Sequence, residues 1–584
     1  MKQKIIFAIL IAGFILSKSD LKAQTNANLI QLPQRYFELL EDGCSMVEKK
    51  LATDPNATLA TLEGGATHGH FPHAVLLPAV LYTKKHPANK HYGDNRMLSL
   101  SLRIGDLLAS ENEKGHYTNR GDSDWDTYMW LEAYRLLQNK LGEERKLHWQ
   151  KAILENISLL EPKLVKCLDY PWYNAPFITT SPNHYSIYAS TLLLGGHVFN
   201  KPEWVKMATK VLHRYCVEEQ APDGYWGEHS NMGPTTGYDY VTSTQIGLYW
   251  EYSKDPEALK ALRRSLNFHE NFTYPDGEPV ETINDRNRYW GASMWGHFGF
   301  SNFADGRRYA AFLTQQFPLQ DKGKSYGNDI ESLGRIAQDA IYFHEGKTAP
   351  IPQDQTNYAY AMKIPAGIRK TGDWVVTYSG IIAPMVSLNN FFLDRQGNFS
   401  VFNKKTGLII SGANAKRQPE LATFTEVVGR DSLHIPVSSK LQMNEKEDRL
   451  ALAYNTFFAV LEVPTPAAKQ LKFQINTVYK WGDAVSGFNL QLMLKAGETL
   501  ETGGGKKIIL SNEKIDLDEK ELGGWLKHNG WTMHIPQGMH LSWPVYPFNP
   551  YANKPETSLD KAIGRLFTQL KPENQELEFA LETL

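Results

Sequence analysis

The chain has 584 residues, of which 42% are hydrophobic and 12% aromatic, and its formal net charge is −2. This length exceeds one ordinary hydrophobic core, and the composition excludes a mainly disordered chain, so we expect at least two domains. The nearly neutral charge gives no extended basic surface and argues against nucleic acid as a partner. The three cysteines show no CxxC spacing, which indicates neither a disulfide framework nor a thiolate zinc site.

Residues 1–23 have the pattern of a cleavable signal peptide. Lys2 and Lys4 precede an apolar run from Ile5 to Leu16 that is too short to span a bilayer, and Ala23 supplies a small residue before the expected cleavage site. We therefore expect a periplasmic or secreted protein that is not inserted in a membrane. The sequence leaves its oligomeric state open.

The hydrophobic pattern divides the remaining chain into two parts. From about residue 34 to 345, apolar residues recur at helical spacing, for example at 95–111. Helical hairpins packed side by side close into a ring, and the loops at one end then form a cleft. Beyond 351–357 the pattern changes to short alternating runs separated by turn residues. The sequence thus predicts an incomplete (α/α) toroid, the catalytic domain, over residues 24–350 and an antiparallel β-sandwich over residues 351–584.

Three segments of the helical part carry the candidate site residues. Asn183 and His184 stand at a helix start, after a loop that contains proline. An aromatic, glycine-rich loop follows at 221–240, and an arginine-rich turn lies farther along the chain. Taken alone, each has an ordinary structural explanation: a helix cap, loop packing and a solvated salt bridge. The candidates in the two later segments are Trp226, Glu228, His229, Tyr238, Asp239, Tyr240, Asp285, Arg286, Arg288 and Tyr289.

One reaction accounts for the three segments together. β-Elimination at a uronic acid requires an enzyme to disperse the charge of the carboxylate, remove the neighbouring proton and protonate the leaving glycosidic oxygen. An amide with Arg or His can disperse the charge, and His and Tyr can transfer both protons without a metal or another cofactor. Aromatic loops supply platforms for sugar rings. The sequence therefore favours an acidic polysaccharide or oligosaccharide as substrate, with no cofactor.

These residues resemble the heparinase II/III-like and alginate lyases, which have an (α/α) toroid and a β-sandwich. The resemblance rests on the Asn183-His184 pair, on the DGxxxE loop at 223–228 and on the downstream tyrosines. It implies that Asn183 neutralises the carboxylate and that His184 is the base or a charge stabiliser. Either Tyr238 or Tyr240 then transfers protons. We prefer Tyr238, because it follows the GPTTG run and projects more readily from the loop.

The chain departs from that family's pattern in two places. Some relatives carry an Arg four residues after the Tyr, where this chain has Thr242 or Thr244, so an arginine of the later turn would have to act instead. Many relatives also place a His of the β domain in the cleft, and His434, His528, His534 and His540 are available here. The predicted substrate contacts are Trp226, Glu228, His229, Arg286, Arg288 and Tyr289.

Two other functions compete with this interpretation. A glycoside hydrolase on the same toroid would need two carboxylic acids, and a non-catalytic glycan-binding protein would use the aromatic cleft alone. The candidate acids are Asp124, Asp126, Glu228, Asp239 and Asp285.

A metal site is not predicted. His68, His70 and His73 stand together in the segment THGHFPH, but Glu63 is the only carboxylate close to them in the sequence. Asp124 and Asp126 are interpreted instead as acids that offset the dipole at a helix N-terminus.

Overall fold

The structure is a computed structural model of the full chain. It describes residues 31–54, 56–63, 70–118, 123–166, 168, 182–227, 233–284, 296–316, 330–382, 397–413, 415, 417–480, 485–549, 552–571 and 575–583. The predicted signal peptide lies outside these residues. No described helix is both long and apolar enough to cross a membrane.

Helices occupy the N-terminal part of the described chain, and one short helix lies in the C-terminal part. The helices are α1 (Gln34–Thr53), α2 (Leu59–Leu62), α3 (Leu76–Thr83), α4 (Asn95–Glu113), α5 (Ser123–Leu137), α6 (Glu143–Val165), α7 (Pro182–Val198), α8 (Pro202–Arg214), α9 (Thr236–Ser253), α10 (Pro256–Asn271), α11 (Ala304–Gln316), α12 (Ile330–Tyr342) and α13 (Glu519–Leu522).

Two kinds of helix alternate from α4 to α10. Helices α4, α6, α8 and α10 bury one face and expose the other, as their amphipathic sequences predict. Helices α5, α7 and α9 are buried on nearly all sides; in α7, residues 185–196 are buried throughout. Helix α5 packs on α3 and α7, α7 packs on α9, and α12 returns to α1 and α3. The buried helices therefore form an inner ring, and the amphipathic helices pack outside it.

The C-terminal part is built from antiparallel strands. They are β1 (Asn357–Ala361), β2 (Ala366–Thr371), β3 (Trp374–Ser379), β4 (Phe399–Asn403), β5 (Gly407–Ser411), β6 (Phe424–Val428), β7 (Asp431–Leu433), β8 (Ser438–Met443), β9 (Glu447–Ala453), β10 (Phe457–Pro464), β11 (Gln470–Tyr479), β12 (Val485–Leu492), β13 (Thr499–Thr502), β14 (Lys507–Ile509), β15 (Ile515–Leu517), β16 (Trp525–His528), β17 (Trp531–His534), β18 (His540–Val545), β19 (Phe548–Asn549), β20 (Lys554–Pro555), β21 (Ile563–Leu570) and β22 (Gln575–Thr583).

Two large sheets stack to form a sandwich. One has the order β1-β2-β3-β4-β5-β12-β21-β18-β15, with β6 and β7 beside β12, and the other has the order β14-β13-β16-β17-β22-β11-β10-β9-β8. Strand β11 buries every second side chain, as a strand with one face on a core should. The ring centroids of Phe399 and Phe473 lie 5.0 Å apart, and those of Phe488 and Phe579 lie 5.7 Å apart, so aromatic rings from the two sheets meet in one core.

The first sheet packs against the helical part. Phe268 of α10 and Phe272, which follows that helix, share an apolar cluster with Ile368 of β2 and Phe402 of β4. Nearby, the backbone N–H of Gly412 donates to Glu281 at 2.9 Å, and burial raises the pKa of Glu281 to about 7. The interface is thus a continuous buried contact.

The predicted fold class is confirmed. The N-terminal part is a helical ring, and the C-terminal part consists of stacked antiparallel sheets. The last described helix of the ring ends at Tyr342 and the first described strand begins at Asn357, so the predicted division between residues 350 and 351 falls between them.

Candidate active site

The early turns of α5, α7 and α9 meet at one end of the ring. Trp125, Ile187 and Val241, one from each helix, form a buried apolar cluster there. The three helices therefore begin at the same end. Helix N-termini present N–H groups without helical partners and carry partial positive charge, so this end favours an acidic ligand.

His184 is held by a carboxylate of the neighbouring helix. Its Nδ1 lies 2.9 Å from Oδ2 of Asp124, which is buried. The indole nitrogen of Trp125 lies 3.4 Å from the same ring nitrogen. When Nδ1–H of a neutral imidazole donates to a carboxylate, the lone pair is on Nε2, as in an oriented base. Because 25% of the His184 side chain is exposed, a ligand can reach the ring.

The two candidate tyrosines occupy different environments. Tyr238 lies in the first turn of α9 and is partly exposed. Tyr240 is 2% exposed, its hydroxyl lies 2.5 Å from that of Tyr309, and its ring stacks on His269. Burial raises the pKa of Tyr240 well above its ordinary value. A phenol enclosed in this way is poorly placed to exchange protons with a sugar, so the arrangement favours Tyr238.

Two other predicted site residues are buried. Asn183 has no exposed surface, so protein encloses its amide. Trp226 is 2% exposed, and its indole N–H donates to the carbonyl of Tyr215 at 3.0 Å. Its backbone N–H donates to Asp239 at 2.7 Å. The enclosed position of Trp226 argues against it as a platform for a sugar, and the role of Asn183 stays a prediction.

The DGxxxE segment begins with a turn that joins the two parts of the protein. Asp223 accepts from the backbone N–H of Lys363 at 2.7 Å. Gly224 has a φ of +98°, and a Cβ at this position would lie 2.2 Å from the carbonyl oxygen of Arg264. Only glycine fits both the backbone conformation and the space. The start of this motif is therefore structural.

Several predicted residues cannot be located. Glu228, His229, Asp285, Arg286, Arg288 and Tyr289 lie outside the described residues, so their roles stay predictions. Among the β-domain histidines, His528 is buried; its Nε2 accepts from the backbone N–H of Lys495 at 2.9 Å, and its Nδ1 lies 3.0 Å from the carbonyl of Thr499. Both of its nitrogens are thus used inside the sandwich.

A second polar cluster adjoins the same end of the ring, and sequence reasoning did not assemble it. Oδ1 of Asp126 lies 3.2 Å from Nδ1 of His70 and 3.2 Å from Nε2 of His73. Burial lowers the pKa of His73, although Asp126 opposes the shift. The Arg335 guanidinium of α12 lies 4.8 Å from the Trp125 ring. The signals in the sequence were the histidines of THGHFPH and the alternating aspartates of α5, but nothing in the sequence joined them.

The fold and the site define a class of architecture: a helical ring followed by a β-sandwich, with the candidate site where the inner helices begin. A Streptomyces coelicolor A3 chondroitin AC lyase bound to chondroitin sulphate is similar, with a TM-score of 0.51 and 12% identity over 95% of this chain and 80% of that chain. A Paenibacillus xanthan lyase gives a TM-score of 0.53 and 11% identity over 94% of this chain and 57% of that chain. A heparinase III gives a TM-score of 0.49 and 11% identity over 88% of this chain and 76% of that chain.

No model of a known protein family and no curated protein matches the chain. The similarities to the chondroitin AC lyase and the xanthan lyase establish the fold alone: this chain shares the helical ring and β-sandwich of those two polysaccharide lyases. The chain spans just over half the length of the xanthan lyase.

Proposed function

We propose that the protein is a polysaccharide lyase that cleaves a uronic-acid polysaccharide by β-elimination at the ring end where α5, α7 and α9 begin. The observation that carries this proposal is the partly exposed His184 imidazole, oriented by the buried Asp124. The fold gives independent support, because the chondroitin AC lyase and the xanthan lyase named above share it.

In the proposed reaction His184 and Tyr238 divide the proton transfers. Nε2 of His184 removes the proton from the sugar carbon that bears the carboxylate. The bond to the leaving glycosidic oxygen then breaks, a carbon–carbon double bond forms, and the Tyr238 hydroxyl protonates that oxygen. The charge that develops on His184 is stabilised by Asp124, which lies within hydrogen-bond distance of the opposite ring nitrogen.

The carboxylate of the substrate needs a separate neutralising group. Asn183 was predicted for this role, but its burial encloses the amide. The proposal therefore assigns neutralisation first to Arg286 or Arg288, the cationic groups predicted from the sequence. The partial positive charges at the N-termini of α7 and α9 favour the same anionic substrate.

The proposed location of the enzyme rests on the predicted signal peptide. We propose that the enzyme acts in the periplasm or outside the cell, where an acidic polysaccharide would meet it. A genetic fusion of residues 1–23 to a reporter that is active only after export would test this point. Retention of the reporter in the cytoplasm would contradict it.

The glycoside hydrolase alternative has less support from the described carboxylates. Asp124 is paired with His184, Asp126 lies between two histidines, and Asp239 accepts a backbone N–H. None of these contacts resembles a protonated acid poised over a glycosidic oxygen. Asp285 and Glu228 lie outside the described residues.

The decisive experiment uses a panel of uronic-acid polysaccharides. Ultraviolet absorbance detects the unsaturated product of elimination, and a reducing-end assay detects any cleavage. We expect both signals to rise together on at least one acidic polymer. Reducing ends without absorbance would indicate hydrolysis, and binding without either signal would indicate a glycan-binding protein. For substitutions at the site, the matched control is His213→Ala, which removes an exposed imidazole of α8 that is paired with Asp255, the residue before α10.

A further inference from the structure

His70, His73 and Asp126 form a compact cluster that no step of the proposed lyase reaction uses. One nitrogen from each imidazole and one carboxylate oxygen lie within 4.8 Å of one another. The sequence argued against a metal site because only Glu63 stood near the histidines in the chain. In the folded chain, α5 brings the carboxylate of Asp126 to the histidines, so the cluster has the acidic ligand that the sequence did not show.

The dimensions of the cluster match those of a zinc site. Oδ1 of Asp126 lies 3.2 Å from Nδ1 of His70 and 3.2 Å from Nε2 of His73. Zinc bonds to imidazole nitrogen and carboxylate oxygen are about 2.0–2.1 Å long, so neighbouring ligand atoms of a tetrahedral site are about 3.3 Å apart. The two separations from Asp126 therefore fit ligands around one ion, and all three ligand atoms lie within 4.8 Å of one another.

His73 supplies an independent observation. Its side chain has no exposed surface, and neither ring nitrogen has a hydrogen-bond partner among the described residues. Its closest polar neighbour is Asp126, whose Oδ1 lies 3.2 Å from Nε2. A buried imidazole without such a partner is costly unless another group binds it. The ring also needs Gly334 on α12, where a Cβ would lie 2.8 Å from its Nδ1.

A second carboxylate lies near the more exposed histidine. Oε2 of Glu331, in the first turn of α12, lies 3.7 Å from Nε2 of His70. This is the nitrogen opposite the one that approaches Asp126. Histidines that bind metal through one nitrogen commonly direct the other toward a carboxylate. Arg335 adds one positive charge nearby, but the two carboxylates of Asp126 and Glu331 outnumber that single guanidinium.

We propose that His70, His73 and Asp126 bind a divalent transition-metal ion of the zinc class, with water in the fourth position. Mixed imidazole and carboxylate ligands suit such an ion better than calcium or magnesium, which prefer oxygen ligands alone. The role of the ion is structural: its ligands link the segment before α3 to the first turn of α5. Asp126 follows Asp124 by two residues, so this link also fixes the carboxylate that holds His184.

The test measures metal binding alone and does not depend on lyase activity. Protein stripped with a chelator is titrated with Zn²⁺ in competition with a coloured chelator. We expect one tightly bound equivalent, and we expect Asp126→Asn and His73→Gln each to weaken binding by at least about 10-fold. His213→Ala, which removes an unrelated imidazole, should bind as the unmodified protein does. Circular dichroism verifies that each variant is folded.

A spectroscopic measurement covers the case in which a variant does not fold. Co²⁺ added to the stripped, unmodified protein should give the intense visible bands of a tetrahedral site. Absence of a stoichiometric Zn²⁺ site, a Co²⁺ spectrum typical of the hydrated ion, or unweakened binding by both folded variants would each overturn the proposal. None of these outcomes bears on the lyase proposal, which the polysaccharide panel tests separately.

Discussion

At the mouth of the ring, defined by Asp124, Trp125, His184 and Tyr238, a histidine is partly exposed and bonded to a carboxylate. In the interior of the ring, defined by Tyr240, His269, His297 and Tyr309, both histidines are fully buried, and their ring nitrogens have no hydrogen-bond partner among the described residues. Both regions contain histidine and tyrosine. They differ in access to solvent and in whether a carboxylate lies within hydrogen-bond distance of the imidazole.

This difference determines what the side chains can do. Burial lowers the pKa of His297 to about 3 and the pKa of His269 well below its ordinary value. It raises the pKa of Tyr240 well above that of an ordinary phenol. The two interior histidines and Tyr240 are therefore held in their neutral forms, whereas His184 at the mouth is within reach of a ligand.

The largest effect is expected at His184. His184→Ala removes the proposed base, so kcat for elimination should fall by about 10²–10⁴-fold, the usual contribution of general base catalysis. Because the substitution also takes a hydrogen-bond partner from the buried Asp124, the free energy of unfolding should fall by about 1–3 kcal/mol. Initial rates and urea unfolding measure the two quantities. If the rate stays within a few-fold of the unmodified enzyme, the mouth of the ring is not the catalytic site.

A smaller loss of activity is expected at Asp124. Asp124→Asn keeps the shape of the side chain but removes the charge that orients His184, and a displaced catalytic group can cost about 10²-fold. We expect kcat to fall by about 10-fold to 10²-fold with KM nearly unchanged. A variant that raises KM and leaves kcat unchanged would instead assign Asp124 to substrate binding.

In the interior, the expected effect is on stability at acid pH. His297 has a pKa of about 3 in the folded protein, against about 6.5 when unfolded. The unfolded chain therefore binds the additional proton between these values, so this contribution to stability is complete above about pH 6.5 and is lost as the pH falls toward 3. His297→Asn should reduce the loss of unfolding free energy between about pH 7.5 and pH 5.

The contribution of Asp339 to the unfolding free energy has the opposite pH dependence, and the experiment on His297 must allow for it. Its Oδ2 lies 3.9 Å from His297, and burial raises its pKa to about 8. Its carboxyl group keeps a proton in the folded state that the unfolded chain loses above about pH 4, so its contribution falls as the pH rises from about 4 to 8. Comparing the variant with the unmodified protein at each pH largely cancels this contribution. An unchanged pH dependence in His297→Asn would contradict the assignment.

The smallest effect is expected outside the ring. His213 and Asp255 form a pair at 2.6 Å, and 47% of the His213 side chain is exposed. Exposed pairs contribute about 0–1 kcal/mol, so His213→Ala should lower the unfolding free energy by no more than about 1 kcal/mol and leave elimination unchanged. A large loss of activity would show that histidine substitutions act through general destabilisation.

The sequence was sufficient for the fold because hydrophobic periodicity reports directly on burial. The change of period near 351–357 separated helices from strands, and the helix start at Asn183 and His184 was found. The partners of His184 were not found, because Asp124 and Trp125 are distant in the chain and resemble an ordinary acidic helix start. Asn183 and Trp226 could not be recognised as buried, since short motifs do not reveal which face of a helix or loop meets the core.

The comparison between mouth and interior is tested most directly by two substitutions of one chemical kind, Tyr238→Phe and Tyr240→Phe. Each removes one hydroxyl, and each variant is assayed for ultraviolet-absorbing product on the polysaccharide that the unmodified enzyme cleaves. We expect Tyr238→Phe to lose about 10²–10⁴-fold in kcat, and Tyr240→Phe to retain its rate but lose about 1–3 kcal/mol of unfolding free energy. If Tyr240→Phe abolishes elimination while remaining folded and Tyr238→Phe does not, the proton donor lies in the interior and the account is wrong.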